Sequence, residues 1–154
     1  MKKFVLALTL IVVSGLIQNT GFFLAFGIKP NLLLAVLVAA SFFMESFAAY
    51  LGLLAGALFF LRFESGFRPE LLAFAVLAVS VFLVNRLLPW RQSVNNLVLA
   101  ALFVILFYAL ADISYLWTNL AAVVGEIIYT SIFSILFYDL FRQLSGNEDN
   151  IFKR

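Results

Sequence analysis

The sequence predicts an all-α fold: a polytopic membrane bundle of about six transmembrane helices, with five crossings as the alternative count. Three observations lead there. From Phe4 to Arg142 the chain is apolar apart from short connectors, none long enough to form a soluble domain. Hydrophobic residues make up 65% of the 154 residues and charged residues 12%, where soluble domains carry about 25% charge. Pro, Gly, Trp and isolated charges punctuate the apolar runs at intervals suited to membrane spans, each of which needs roughly 20 apolar residues.

The elements follow in order. A first segment runs from Phe4 to Phe26, interrupted by Gln18, Asn19 and Thr20. Lys2 and Lys3 ahead of Phe4–Val13 resemble a signal peptide, but the apolar run resumes after Gly21 and reaches Ile28. An uncleaved first helix is therefore expected. Gly27-Ile28-Lys29-Pro30-Asn31 reads as a turn, with Pro30 suited to a helix start because its missing N–H costs nothing there. The second segment, Leu32 to Phe43, and the third, Ala48 to Phe63, are short. Residues 64–69 form a loop, and a fourth segment runs from Glu70 to Leu88. Pro89-Trp90-Arg91-Gln92 is a connector with an interfacial Trp. A fifth segment spans Val94 to Ala111, Asp112–Thr118 reads as a connector, and a sixth spans Asn119 to Leu144. Residues 1–144 thus form one bundle, and 145–154 a polar tail expected to be cytoplasmic and disordered.

The stretch 31–63 reads either as two short crossings or as one re-entrant hairpin. With six crossings, Lys2, Lys3, Arg86, Arg91, Arg142, Lys153 and Arg154 share one side, and Lys29, Arg62 and Arg68 the other. With five, Lys2, Lys3, Arg62 and Arg68 face the remaining six. Positive charge concentrates on the cytoplasmic side, so six crossings are preferred, with both termini cytoplasmic. The short segments are then thin spans or are packed behind other helices.

Several function classes lose their chemistry. The chain has no Cys and no His, so thiolate and imidazole catalysis and the usual zinc and haem ligands are absent. Its Lys and Arg sit singly at segment ends, unlike a nucleic-acid footprint. No nucleophile–base set, phosphate-binding loop or acidic cluster occurs. No enzyme, cofactor or metal is expected.

Intramembrane polar groups remain as candidates. Glu126 lies nine residues past Trp117, roughly 13 Å below the interface at 1.5 Å per residue. It reads as a proton, ion or substrate site, or more plainly as a carboxyl bonded to a helix carrying Gln18 or Asn19. Glu45 and Asp112 fall at segment ends, where solvation is cheap. Asp139 and Arg142 are spaced to pair, and Arg86 can snorkel to headgroups. Ala48, Gly52 and Gly56 place a small-residue face along the third segment, suited to close helix contact within the bundle or with a partner.

The order of these features resembles the bacterial rod-shape-determining protein MreD family. A helix ending near Gln18 is followed by Gly27-Ile28-Lys29-Pro30-Asn31-Leu32-Leu33-Leu34, and then by Gly52-Leu53-Leu54-Ala55-Gly56-Ala57-Leu58. Where that family often places an acidic residue, four after the second glycine, this chain has Phe60. The resemblance implies a non-enzymatic scaffold of cell-wall elongation that helps maintain cell shape. It implies as partners the single-span protein MreC and peptidoglycan synthases. It also implies a likeness to the six-helix substrate-binding subunits (S components) of ECF-type vitamin transporters. The alternative function is therefore small-molecule binding at the outer side, where Asn19, Lys29, Arg62, Glu64, Arg68 and Asp112 could converge.

Overall fold

Seven helices form among the described residues of the computed structural model, which are 2–20, 28–61 and 69–144. They are α1 (Lys2–Thr20), α2 (Leu32–Ser41), α3 (Phe47–Leu61), α4 (Pro69–Val84), α5 (Gln92–Ala111), α6 (Ile113–Thr118) and α7 (Leu120–Leu144). The all-helical expectation holds for these residues. Gly27, Arg62, Glu64, Arg68, the end of the expected first segment and the tail 145–154 lie outside them.

The helix count differs from expectation through α6. The sequence predicts a connector over Asp112–Thr118, yet the Asp112 carboxylate accepts a hydrogen bond from the Tyr115 backbone N–H at 3.0 Å and starts a short helix. An Asp ahead of a turn is a strong helix cap, and that signal was available in the sequence. The fourth helix ends earlier than Leu88, at Val84. Leu88 precedes Pro89, a position that disfavours helix. The Asn95 Nδ2 then ties the connector down by donating to the carbonyls of Leu88 and Trp90, both at 3.3 Å.

Contacts between side chains give the helix directions. Gly52 faces Phe4, Gly56 faces Leu8 and Ile11, and Gly15 faces Phe60, so α1 and α3 run parallel. Asn31 meets Thr130, and Phe43 meets Tyr138 and Phe141, so α2 and α7 run parallel. Tyr138 bonds to Gln92, and Tyr108 to Glu126, so α5 opposes α7. Tyr50 stacks on Phe82 and donates to Ala78, so α3 opposes α4. Leaving α6 aside, successive helices therefore alternate between two ends. The first end carries Gln18, Asn31, Tyr108 and Glu126. The second carries Ser41, Asn85, Asn95 and Tyr138.

At the centre lies α2. All ten of its residues are buried, and it packs against α1, α3, α4, α5 and α7. A helix apolar on every side belongs inside other structure. Of the two explanations for the short segments, packing behind other helices is the one observed for α2. Ten residues span about 15 Å, half the roughly 30 Å hydrocarbon core. The long helices form the periphery: α1, α5 and α7 are each long and apolar enough to cross a membrane, whereas α2, α3 and α4 are shorter. On α7, Leu120, Val124, Ile128, Ile132 and Leu136 all face outward. That is an apolar stripe at i, i+4 spacing where a water-facing helix would carry charge.

Candidate functional site

The first end is organised around the start of α2, whose leading backbone N–H groups need acceptors. The Asn31 side chain accepts from the Leu34 N–H at 3.1 Å, and the Gln18 Oε1 reaches from α1 to accept from the Leu33 N–H at 3.3 Å. The Asn31 N–H in turn donates to the Thr130 hydroxyl of α7 at 3.1 Å. Gln18, expected as an intramembrane polar group on a helix that bonds Glu126, is instead a second cap on α2. It meets the Pro30-Asn31 turn in space, and three helices are joined there.

Beside this junction lies a cleft of about 280 Å³, lined by Gln18, Lys29, Asn31, Tyr108, Tyr115 and Glu126 together with apolar side chains. Glu126 is half-buried in it. The expected partner helix was the one carrying Gln18 or Asn19, and the structure corrects this. The Tyr108 hydroxyl on α5 donates to the Glu126 carboxylate, and the Tyr108 ring stacks on Tyr115 at 5.2 Å. A Tyr–Glu contact between neighbouring antiparallel helices satisfies both groups locally, so the more distant amides are free to cap α2. Among the outer residues expected to converge, Lys29 lines the cleft. Asn19 is exposed and stands outside it, and the Asp112 carboxylate is committed to capping α6.

Glu126→Gln is expected to be tolerated, because the amide oxygen can still accept from Tyr108. Glu126→Leu removes that acceptor and should lower Tm by a few degrees, in line with about 1 kcal/mol for a lost intramembrane hydrogen bond. Thermal melting of the purified variants checks the pair. A Gln variant as damaged as the Leu variant would show that the negative charge itself matters.

Midway along the bundle, Asn96 is fully buried. Its Oδ1 accepts from the Ser134 hydroxyl at 3.0 Å, and the same hydroxyl lies 3.4 Å from the Ala35 carbonyl. The sequence reading passed over Asn96, although adjacent Asn95 and Asn96 inside an apolar helix are a visible signal of interior polar contact.

At the second end, the Asn85 Nδ2 donates to the Ser41 hydroxyl at 2.9 Å, and the Tyr138 hydroxyl donates to the Gln92 carbonyl oxygen at 3.1 Å. The Arg86 guanidinium donates to the Glu45 backbone carbonyl at 3.0 Å and lies 4.6 Å from the Phe82 ring centre. Arg86 therefore leans on an aromatic face at the helix end. Asp139 and Arg142 stay exposed on α7 and form no ion pair with each other.

The small-residue face turns toward α1. A Cβ at Gly52 would touch the Phe4 ring at 3.8 Å, and one at Gly56 the side chains of Ile11 and Leu8 at 3.7 and 3.8 Å. Ala48 is exposed. The tightest approach of α1 and α3 lies elsewhere, where Phe60 covers Gly15. The position at which the resembling family often carries an acid is thus occupied here by a ring packed on a glycine. Among the described residues no group of three His, Cys, Asp or Glu side chains comes together.

Comparison with protein-family models, characterised proteins and solved structures finds no match.

Proposed function

We propose that this chain is a non-enzymatic membrane scaffold of the bacterial cell-elongation machinery. In this reading it crosses the inner membrane six times, keeps both termini cytoplasmic, and holds an MreC-like single-span protein and peptidoglycan synthases beside it. The observation that carries the proposal is the division of labour among side chains. Many polar groups of the interior are spent on contacts within the bundle, as with Gln18 and Asn31 on α2 and Tyr108 on Glu126. The outward faces of α1, α5 and α7 are apolar. A protein so arranged offers neighbouring helices lateral packing surfaces and offers little chemistry. The resemblance around Gln18 and Pro30-Asn31 supplies the biological setting.

The test is co-purification from native membranes through a tag on the C-terminus. A single-span periplasmic partner recovered with cell-wall synthases is the expected result. An energising ATPase module would overturn it in favour of the second reading, a substrate-binding subunit of an ECF-type transporter. That reading draws on the cleft where Lys29 and Glu126 line a volume of about 280 Å³. A small molecule retained there after purification would be its signature.

A further inference from the structure

The second end of the bundle holds a cleft of about 340 Å³, lined by Asn85, Arg86, Trp90, Gln92 and Asn95 among others, that the proposed function does not use. Three independent features converge on it. Arg86 is held by the Glu45 carbonyl and the Phe82 ring, and it has no carboxylate partner among the described residues. A guanidinium carries five N–H donors, so most remain available. The start of α5 adds a second positive element. Arg91 at its N-cap makes no side-chain cap, and Gln92 and Asn95 place this first turn on the cleft wall. An uncapped helix start presents backbone N–H groups and the positive end of the helix dipole, a setting that favours anions.

The third feature is Asn95. It is 2% exposed, and its Nδ2 donates to two carbonyls, those of Leu88 and Trp90. Those carbonyls fix which way the amide points, since an oxygen turned toward them would find no donor. The Asn95 Oδ1 is then left buried without a hydrogen-bond partner. Buried polar atoms are almost always satisfied, and this one requires a donor. Trp90, 55% exposed at the mouth, is a residue that favours the headgroup level of a bilayer.

We propose that this cleft binds the headgroup of an anionic phospholipid that carries a free hydroxyl, such as phosphatidylglycerol. The phosphate lies against Arg86 and the start of α5, and the hydroxyl donates to the Asn95 Oδ1 once a shift of the cleft wall uncovers that atom. The site rests on this end of the bundle lying at a membrane surface and is independent of the scaffold's protein partners. Phosphatidylcholine has the phosphate but neither the net negative charge nor a donor. A soluble glycerophosphate has the same polar chemistry without the acyl chains.

The experiment uses the full chain in detergent, freed of native lipid and titrated while bound lipid is counted by native mass spectrometry. Phosphatidylglycerol is expected to bind at least about tenfold tighter than phosphatidylcholine, because both place a phosphate on Arg86 but only phosphatidylglycerol adds a hydroxyl donor and lacks the compensating positive charge of choline. Arg86→Gln should lose about that factor, whereas Arg142→Gln, which removes the same charge at the same end, should not. Equal binding of the two lipids, or equal loss in the two variants, would overturn the proposal. Glycerophosphate displacing the lipid at equal concentration would assign the site to a soluble phosphate and overturn the lipid assignment. The comparison of lipids on the unaltered chain stands even if Arg86→Gln does not fold. Release of the chain from membranes by an alkaline wash without detergent would instead remove the membrane embedding itself, a result distinct from lost lipid selectivity.

Discussion

Leu37→Asp is expected to abolish the folded protein, with loss of the monodisperse peak in detergent size-exclusion chromatography and no recoverable melting transition. Leu37 is fully buried in the middle of α2, and α2 packs against α1, α3, α4, α5 and α7. An Asp at a helix centre costs about 3 kcal/mol for membrane insertion. Once packed, its carboxyl would find Leu, Val and Ala side chains in place of a hydrogen-bond donor, at a further roughly 2–7 kcal/mol. These costs take up most or all of a total stability of about 5–15 kcal/mol. Leu37→Met keeps volume and apolar character and should cost under about 1.5 kcal/mol. An aspartate variant that melts like the native chain would show that α2 is not enclosed.

Gly15→Leu is the second large effect. A Cβ at this position would come within 3.0 Å of the Phe60 Cβ, Cγ and Cδ1. The Phe60 Cβ is fixed by the α3 backbone, so the ring cannot simply swing aside and the helices must separate. Overpacking of this kind costs about 1–3 kcal/mol and occasionally more, and α1–α3 is a principal helix contact. Tm should fall by several degrees, and Phe60→Ala in the same chain should restore much of it. The double-mutant cycle reads the coupling directly. Gly56→Leu should be milder, because its neighbours are the flexible ends of Ile11 and Leu8 at ordinary contact distance. Equal losses at Gly15 and Gly56 would contradict this ranking.

That ranking shows where the sequence was legible and where it was not. Repetition along one helix is visible in a sequence, so Ala48, Gly52 and Gly56 stood out as a packing face, and Gly52 and Gly56 do face α1. A single glycine opposite a single aromatic 45 positions away leaves no periodic trace, and Gly15–Phe60 could not be read. Where both ends are described, the apolar segments located the longer helices to within a few residues, because length and hydropathy are local properties. The central place of α2 was legible only in part: its all-round apolar character excluded a surface helix but did not say which helices enclose it. The candidate cleft behaved likewise. Glu126 was singled out from depth alone, whereas its Tyr108 partner depended on how α5 and α7 are set side by side, which spacing does not encode. Asp112 was a misread local signal, since its capping role was open to inspection.

The enclosure of α2 has a consequence for how the chain is made. The two hydrogen bonds that join the α2 region to α7, Asn31 to Thr130 and Ser134 to the Ala35 carbonyl, each bridge 99 positions. During synthesis α2 emerges too short to cross a bilayer as a free helix, well before its principal neighbour α7 is made. Until α7 arrives, the growing chain carries a helix whose largest contact does not yet exist. Closure over so long a separation is slow, and an unfinished bundle exposes surfaces that invite misassembly. A ribosome that stops short of α7 therefore releases a chain without its keystone.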